Sequence, residues 1–113
     1  MKKNLSKTAA IVGVAESNEL GTVPGKSALA LHAEAASNAL ADAGVERDEV
    51  DGLLTAGYWN YDLADYLGIK PRYTDTTTVG GASFVIHVGH AVSAIAAGLC
   101  EVALITHGQS GRN

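Results

Sequence analysis

Cysteine occurs once in these 113 residues, at Cys100. That excludes an internal disulfide framework and a multi-thiolate metal site. Proline occurs twice, and Trp, Phe and Met once each, with aromatics at 5%. Charged residues make up 18%, below the roughly 25% usual for soluble domains. Lys and Arg number 8 against 12 Asp and Glu, for a net charge of −4. No basic stripe exists to neutralise phosphates, so nucleic acid is excluded as a partner. Hydrophobic residues reach 47%, which excludes disorder as the main state. Small residues are what the chain has in quantity: 13 Gly and 19 Ala. They favour close approach between elements but leave few large side chains for a private core. Such a chain is expected to bury part of its surface against something else.

Lys2, Lys3 and Lys7 precede an apolar run from Thr8 to Ala15. Glu16 interrupts that run before any clean cleavage site, so the segment reads as a strand rather than a signal peptide. A cytoplasmic chain is the resulting expectation. Ala9–Ala15 is β-branched and apolar, and is taken as a first strand. Ser17–Lys26 carries loop signals. Ser27 is placed to cap a helix over Ala28–Ala43, where Leu29, Ala33, Ala36, Leu40 and Ala43 share one face. Gly44 follows as its C-terminal stop. Glu46–Glu49 reads as a solvated turn and Val50–Thr55 as a strand. Asp62–Leu67 reads as a short helix and Tyr73–Val79 as a Thr-rich strand. Gly80-Gly81 breaks it, Ala82–Leu99 reads as a helix, and Glu101–His107 as a last strand. This alternation predicts an α/β layer with a parallel or mixed sheet.

Thr76–Cys100 is 25 residues without Asp, Glu, Lys or Arg. A run of that length invites a membrane reading. Three threonines, two glycines, His87, His90 and Ser93 oppose it. A helix apolar on all sides then belongs between layers of a larger fold.

Four motifs bear on chemistry. Gly25-Lys26-Ser27 lacks the spacing of a phosphate-binding loop, because Leu20 stands where the first glycine is required. His87 and His90 share a helix face, yet no third ligand lies near in sequence, so no metal is expected. Cys100 sits at the wrong end of a helix, beside Glu101, for an activated thiolate; it reads as a buried structural thiol. Val79-Gly80-Gly81-Ala82-Ser83 joins a strand to a helix N-terminus, whose first amides lack internal partners and suit an oxyanion or a thioester oxygen.

At this turn a family resemblance emerges. Ala10–Ser17, Ala39–Val45, Val50–Leu53, Val79–Ser83 and His87–Ile105, in this order and spacing, resemble the N-terminal half of thiolase-like proteins, closest to the sterol-carrier-type branch. The resemblance covers nearly the whole chain. It implies an α/β fold: the N-terminal half of a layered, mixed-sheet architecture with a buried central helix. Residues 1–113 would form a partial thiolase-like N-terminal domain, with the C-terminal half absent. Working thiolases carry a nucleophilic cysteine at the start of the central helix. The resemblance places that position at Val79 or Gly80, and neither can attack a thioester. Ser83 lies nearby, several residues late and without a visible base.

The resemblance further implies action on acyl-CoA thioesters, by acyl transfer or by retro-aldol or Claisen carbon–carbon bond chemistry in a complete chain. Gly81, Ala82 and Ser83 would bind the thioester oxygen. Coenzyme A would enter as part of the substrate, with no separate cofactor. Cysteine-less relatives look like partners of a small OB-fold acyl-CoA-binding subunit. Thiolase-like proteins pair across the third strand, which would set Thr76, Thr77, Thr78, His87 and His90 at a homodimer interface. The competing reading is a non-catalytic acyl-binding or assembly subunit that keeps only the fold.

Overall fold

A computed structural model describes residues 9–16, 18, 27–56, 60–78 and 82–107. The described residues form three helices and three strands: α1 (Ala28–Ala43), β1 (Gly52–Ala56), α2 (Asn60–Leu67), β2 (Tyr73–Asp75), α3 (Ser83–Ala96) and β3 (Ala103–His107). A 3-10 turn at Arg47–Glu49 closes on itself through a capping box between Glu46 and Glu49.

The α1 boundaries match the sequence pattern at both ends. Ser27 Oγ accepts from Ala30 N at 3.1 Å. Gly44 adopts φ 70°, and Val45 N reaches back to Leu40 O at 3.0 Å. That left-handed stop is costly for any residue with a Cβ. Inside α1, Ala33, Ala36 and Leu40 pack on Leu53, Leu104 and on Leu63, Ala64 and Leu67 of α2, forming the main core.

The strands run parallel in the order β2-β1-β3. The α/β fold expected from the alternation of elements is therefore present. Crossovers β1-α2-β2 and β2-α3-β3 travel in opposite directions across the sheet. The right-handed rule then places α2 and α3 on opposite faces. Leu53 joins the α1/α2 core, while Leu54, one residue on, points to the other face and is equally buried. On the α3 side, Ser83, His87, Ala91 and Ala94 are buried, whereas Val85 and Val88 are exposed. Among the described residues, α3 is thus covered on one face only. Among the described residues, no helix is long and apolar enough to cross a membrane.

Three expectations need correction. Ala9–Ala15 contains no strand: Ile11, Val12 and Val14 are 72%, 65% and 73% exposed. The segment lies along α1 instead. Val14 N donates to Asp42 Oδ2 at 3.0 Å, and Asn38 Nδ2 donates to Glu16 O at 2.9 Å. β-propensity describes a fit to a pleated surface, and it does not supply the pairing partner. The expected strand Tyr73–Val79 stops at Asp75. There the Asp75 carboxylate accepts from the Thr77 amide and hydroxyl at 2.8 and 2.6 Å, a local turn that competes with the ladder. The helix expected to reach Leu99 ends at Ala96, with Gly98 at φ 76° closing the turn.

Candidate functional site

In a parallel sheet with helices on both faces, the strand C-termini open toward the helix N-termini, and ligands bind in that crevice. Here this edge ends in Asp75 of β2 and His107 of β3. Polar side chains gather there on both faces of the sheet.

On the α3 face, Asp75 Oδ2 pairs with His90 Nδ1. Burial of the Asp75 carboxyl favours its neutral form. The hydrogen bonds from Thr77 and the contact with His90 outweigh that and hold it below the usual carboxylate range. One turn earlier on the helix, His87 is fully buried, with Nε2 2.8 Å from the Thr77 carbonyl oxygen. A carbonyl only accepts, so Nε2 is the donor in this contact. Nδ1 is enclosed and makes no hydrogen bond.

On the α1 face, buried His32 has Nδ1 2.8 Å from Thr106 Oγ1. Its ring lies 6.3 Å from that of His107, tilted by 57°. Burial, and secondarily His107, push the His32 pKa down to about 4, so the ring is neutral near pH 7.

Ala82, the N-cap of α3, has helical backbone angles and makes no side-chain capping bond. Ile86 N donates to Ala82 O at 3.3 Å. The first-turn amides of a helix lie ahead of its own ladder and suit an oxygen acceptor. Ser83 is the first residue of that turn and is 1% exposed.

The structure brings together some of the residues singled out from sequence. Thr77, His87 and His90 form one cluster with Asp75. Thr76 and Thr78 are exposed and lie past the end of β2. Val79, Gly80 and Gly81 lie outside the described residues. So do Gly25 and Lys26, while the neighbouring Ser27 acts as the α1 cap. His87 and His90 are engaged separately, by Thr77 and by Asp75, rather than converging on one point. Among the described residues, no group of three or more His, Cys, Asp or Glu is placed to hold a metal. Cys100 is buried, and its thiol is pushed up by burial and then by Asp51, with Arg72 opposing. Asp75 escaped sequence reasoning. Its signal was the Asp-x-Thr spacing of a side-chain-capped turn.

No protein-family model matches the chain. Over 102 residues, 87% of the chain, it is 36% identical to a 17-hydroxy-3-oxo-4-pregnene-20-carboxyl-CoA lyase of Mycobacterium tuberculosis strain H37Rv, covering 26% of that protein. Its structure is similar to the Ltp2-ChsH2(DUF35) aldolase, with a TM-score of 0.78, 33% identity, and coverage of 85% of this chain and 26% of that one. An SCP2-thiolase-like protein type 1 of Mycobacterium smegmatis, described as monomeric, follows at TM-score 0.69 and 31% identity, covering 84% of this chain and 22% of that one. A 3-oxoacyl-[acyl-carrier-protein] synthase III of Aquifex aeolicus shares the fold, at TM-score 0.67 but only 18% identity, over 74% of this chain and 30% of that one. The chain spans about a quarter of the length of its lyase and aldolase relatives.

Proposed function

We propose, from the premise that this chain has a thiolase-like fold, that the protein it belongs to breaks a carbon–carbon bond in an acyl-CoA thioester without a cysteine nucleophile. The observation that carries this reading is the similarity above 30% identity to a CoA lyase and to an aldolase. The ketosynthase likeness bears on the fold alone.

The chemistry follows from the thioester. Retro-aldol cleavage needs a hydroxyl on the carbon β to the thioester carbonyl. A base removes the hydroxyl proton, the new carbonyl forms, and the Cα–Cβ bond breaks. The electron pair flows into a thioester enolate. Donors aimed at the enolate oxygen lower the barrier most. The first-turn amides of α3, from Ala82 and Ser83 onward, have that role here, with Gly80 and Gly81 admitting the thioester. No step requires a thiolate, in keeping with the high thiol pKa and burial of Cys100. Coenzyme A takes part as substrate, with no further cofactor.

Residues 1–113 act in this reading as the N-terminal part of a larger thiolase-like domain working in the cytoplasm. A small OB-fold acyl-CoA-binding subunit of the DUF35 kind serves as its partner. Two copies pair across the edge of β2 that no described strand occupies, near Thr76–Thr78. A strand edge with open backbone groups is a template for such pairing.

The experiment is cleavage of a 3-hydroxyacyl-CoA by the full-length protein, with and without a DUF35-type subunit and with no free CoA added. The expected products are a ketone or aldehyde and a shortened acyl-CoA in equal amounts. Cleavage of the matching 3-oxoacyl-CoA that requires free CoA, with the 3-hydroxyacyl-CoA left intact, would instead mean thiolysis and contradict the reading.

A further inference from the structure

We propose that His87 and His90 are positioning residues for thioester chemistry at the start of α3: together they clamp the turn that leaves β2 against that helix, and so fix where its first-turn amides point. The proposal rests on the acyl-thioester reading above. It deepens that reading by adding two side chains that act on the site without touching substrate.

Four observations carry it. Asp75 is the last residue of β2 and pairs with Leu54, so the sheet fixes its place. Its carboxylate accepts from the Thr77 amide at 2.8 Å and from the Thr77 hydroxyl at 2.6 Å, which turns the chain away from the ladder. From α3, His90 Nδ1 meets Asp75 Oδ2, and His87 Nε2 donates to the Thr77 carbonyl at 2.8 Å. Finally, only residues 78–81 separate Thr77 from Ala82, the N-cap of α3.

The two contacts come in antiparallel order, the earlier residue of the turn taking the later histidine. Three residues of helix rise about 4.5 Å, and two extended residues span about 6.6 Å. Two rungs therefore fit side by side without crossing, as a chain that reverses direction requires.

His87 is an expensive way to hold a helix if packing were its only task. The residue is fully buried, and its Nδ1 makes no hydrogen bond. Such burial costs free energy, and an apolar side chain would avoid it. Ala91 and Ala94, buried further along α3, already supply packing. What the imidazole adds is direction, because a hydrogen bond is angular and hydrophobic contact is not. Direction matters here because donors stabilise a developing oxyanion only when they are preorganised at its position.

The test is steady-state cleavage of 3-hydroxybutyryl-CoA by the full-length protein with a DUF35-type subunit, with the Tm of each variant measured alongside. Asn carries its amide nitrogen where histidine has Nδ1, and Gln where histidine has Nε2. His90 bonds through Nδ1 and His87 through Nε2, so the rescuing amide differs between the two. His90→Asn and His87→Gln should keep kcat within about threefold of wild type, while His90→Gln and His87→Asn should lower it about 100-fold with KM little changed. The His90 side chain is 43% exposed, so its two variants should fold and decide the matter even if the buried His87 pair does not. A fall in kcat that follows Tm rather than the matched amide, a loss confined to KM, or variants all equal to wild type would overturn the clamp and leave the lyase reading intact. Wild-type protein that leaves the thioester uncleaved would overturn both.

Discussion

Asp51 holds Val102 from across the chain: Oδ1 accepts the Val102 amide at 2.8 Å, and the Glu101 amide at 2.9 Å. In return the Asp51 amide donates to Val102 O at 3.1 Å. These bonds fix where β3 starts beside β1, and so set the register that carries Thr106 and His107 to the opposite edge. Arg72 Nε lies 3.6 Å from Asp51 Oδ2, but its side chain is 60% exposed, so that ion pair adds little. Asp51→Ala should therefore cost about 1–3 kcal/mol in urea unfolding, because two amides lose their acceptor. Arg72→Ala should cost below about 1 kcal/mol. Equal losses for the two would show that the ion pair, rather than the amide bonds, anchors β3.

Gly52 and Cys100 pack so closely that a Cβ on Gly52 would sit 2.9 Å from Sγ and 3.2 Å from the Cys100 Cβ. Gly52→Ala should destabilise by about 1–3 kcal/mol through overpacking. Adding Cys100→Ala removes the sulfur and should recover part of that loss. Cys100→Ala alone should keep acyl-CoA activity, and the native thiol should react slowly with maleimide. Loss of activity in folded Cys100→Ala protein would move the site to this cysteine.

The His32 ring is uncharged in the folded state, with its pKa lowered from 6.5 to about 4 by burial and by His107. Between those values the unfolded chain binds the extra proton. Stability is then complete above about pH 6.5 and falls as the pH drops toward 4, by about 3 kcal/mol in total. His32→Gln should flatten that part of the profile. An unchanged slope in the variant would place the titration elsewhere.

Much of the framework was legible in the sequence because it is local. The α1 face, its Ser27 cap and its Gly44 stop depend on neighbours within one turn, and all three appear where the spacing put them. Ala9–Ala15 failed because strand identity depends on a distant pairing partner, and its apolar residues carry no information about where one is. β2 ended early because Asp75 captured Thr77, a two-residue event inside a Thr-rich run that otherwise reads as strand. The site divides the same way. His87 and His90 were visible as an i, i+3 pair, but their acceptors, Thr77 and Asp75, lie 10 and 15 residues away. Only the turn of the chain between β2 and α3 brings them together.

The 113-residue chain by itself should self-associate. Ile11, Val12 and Val14 lie open along α1, and Val85 is 75% exposed on the face of α3 that no described residue covers. Light scattering after size exclusion at low micromolar concentration should give masses above the monomer. A monomer that unfolds cooperatively would show that this face needs no cover.

Isotope labelling tests the central claim most directly. The full-length protein would cleave a 3-hydroxyacyl-CoA in D2O without free CoA, and the shortened acyl-CoA would be analysed by mass spectrometry. Retro-aldol cleavage leaves an enolate that must be protonated at the α carbon, so the product should carry one solvent deuterium there. A shortened acyl-CoA without deuterium would contradict enolate chemistry at this fold.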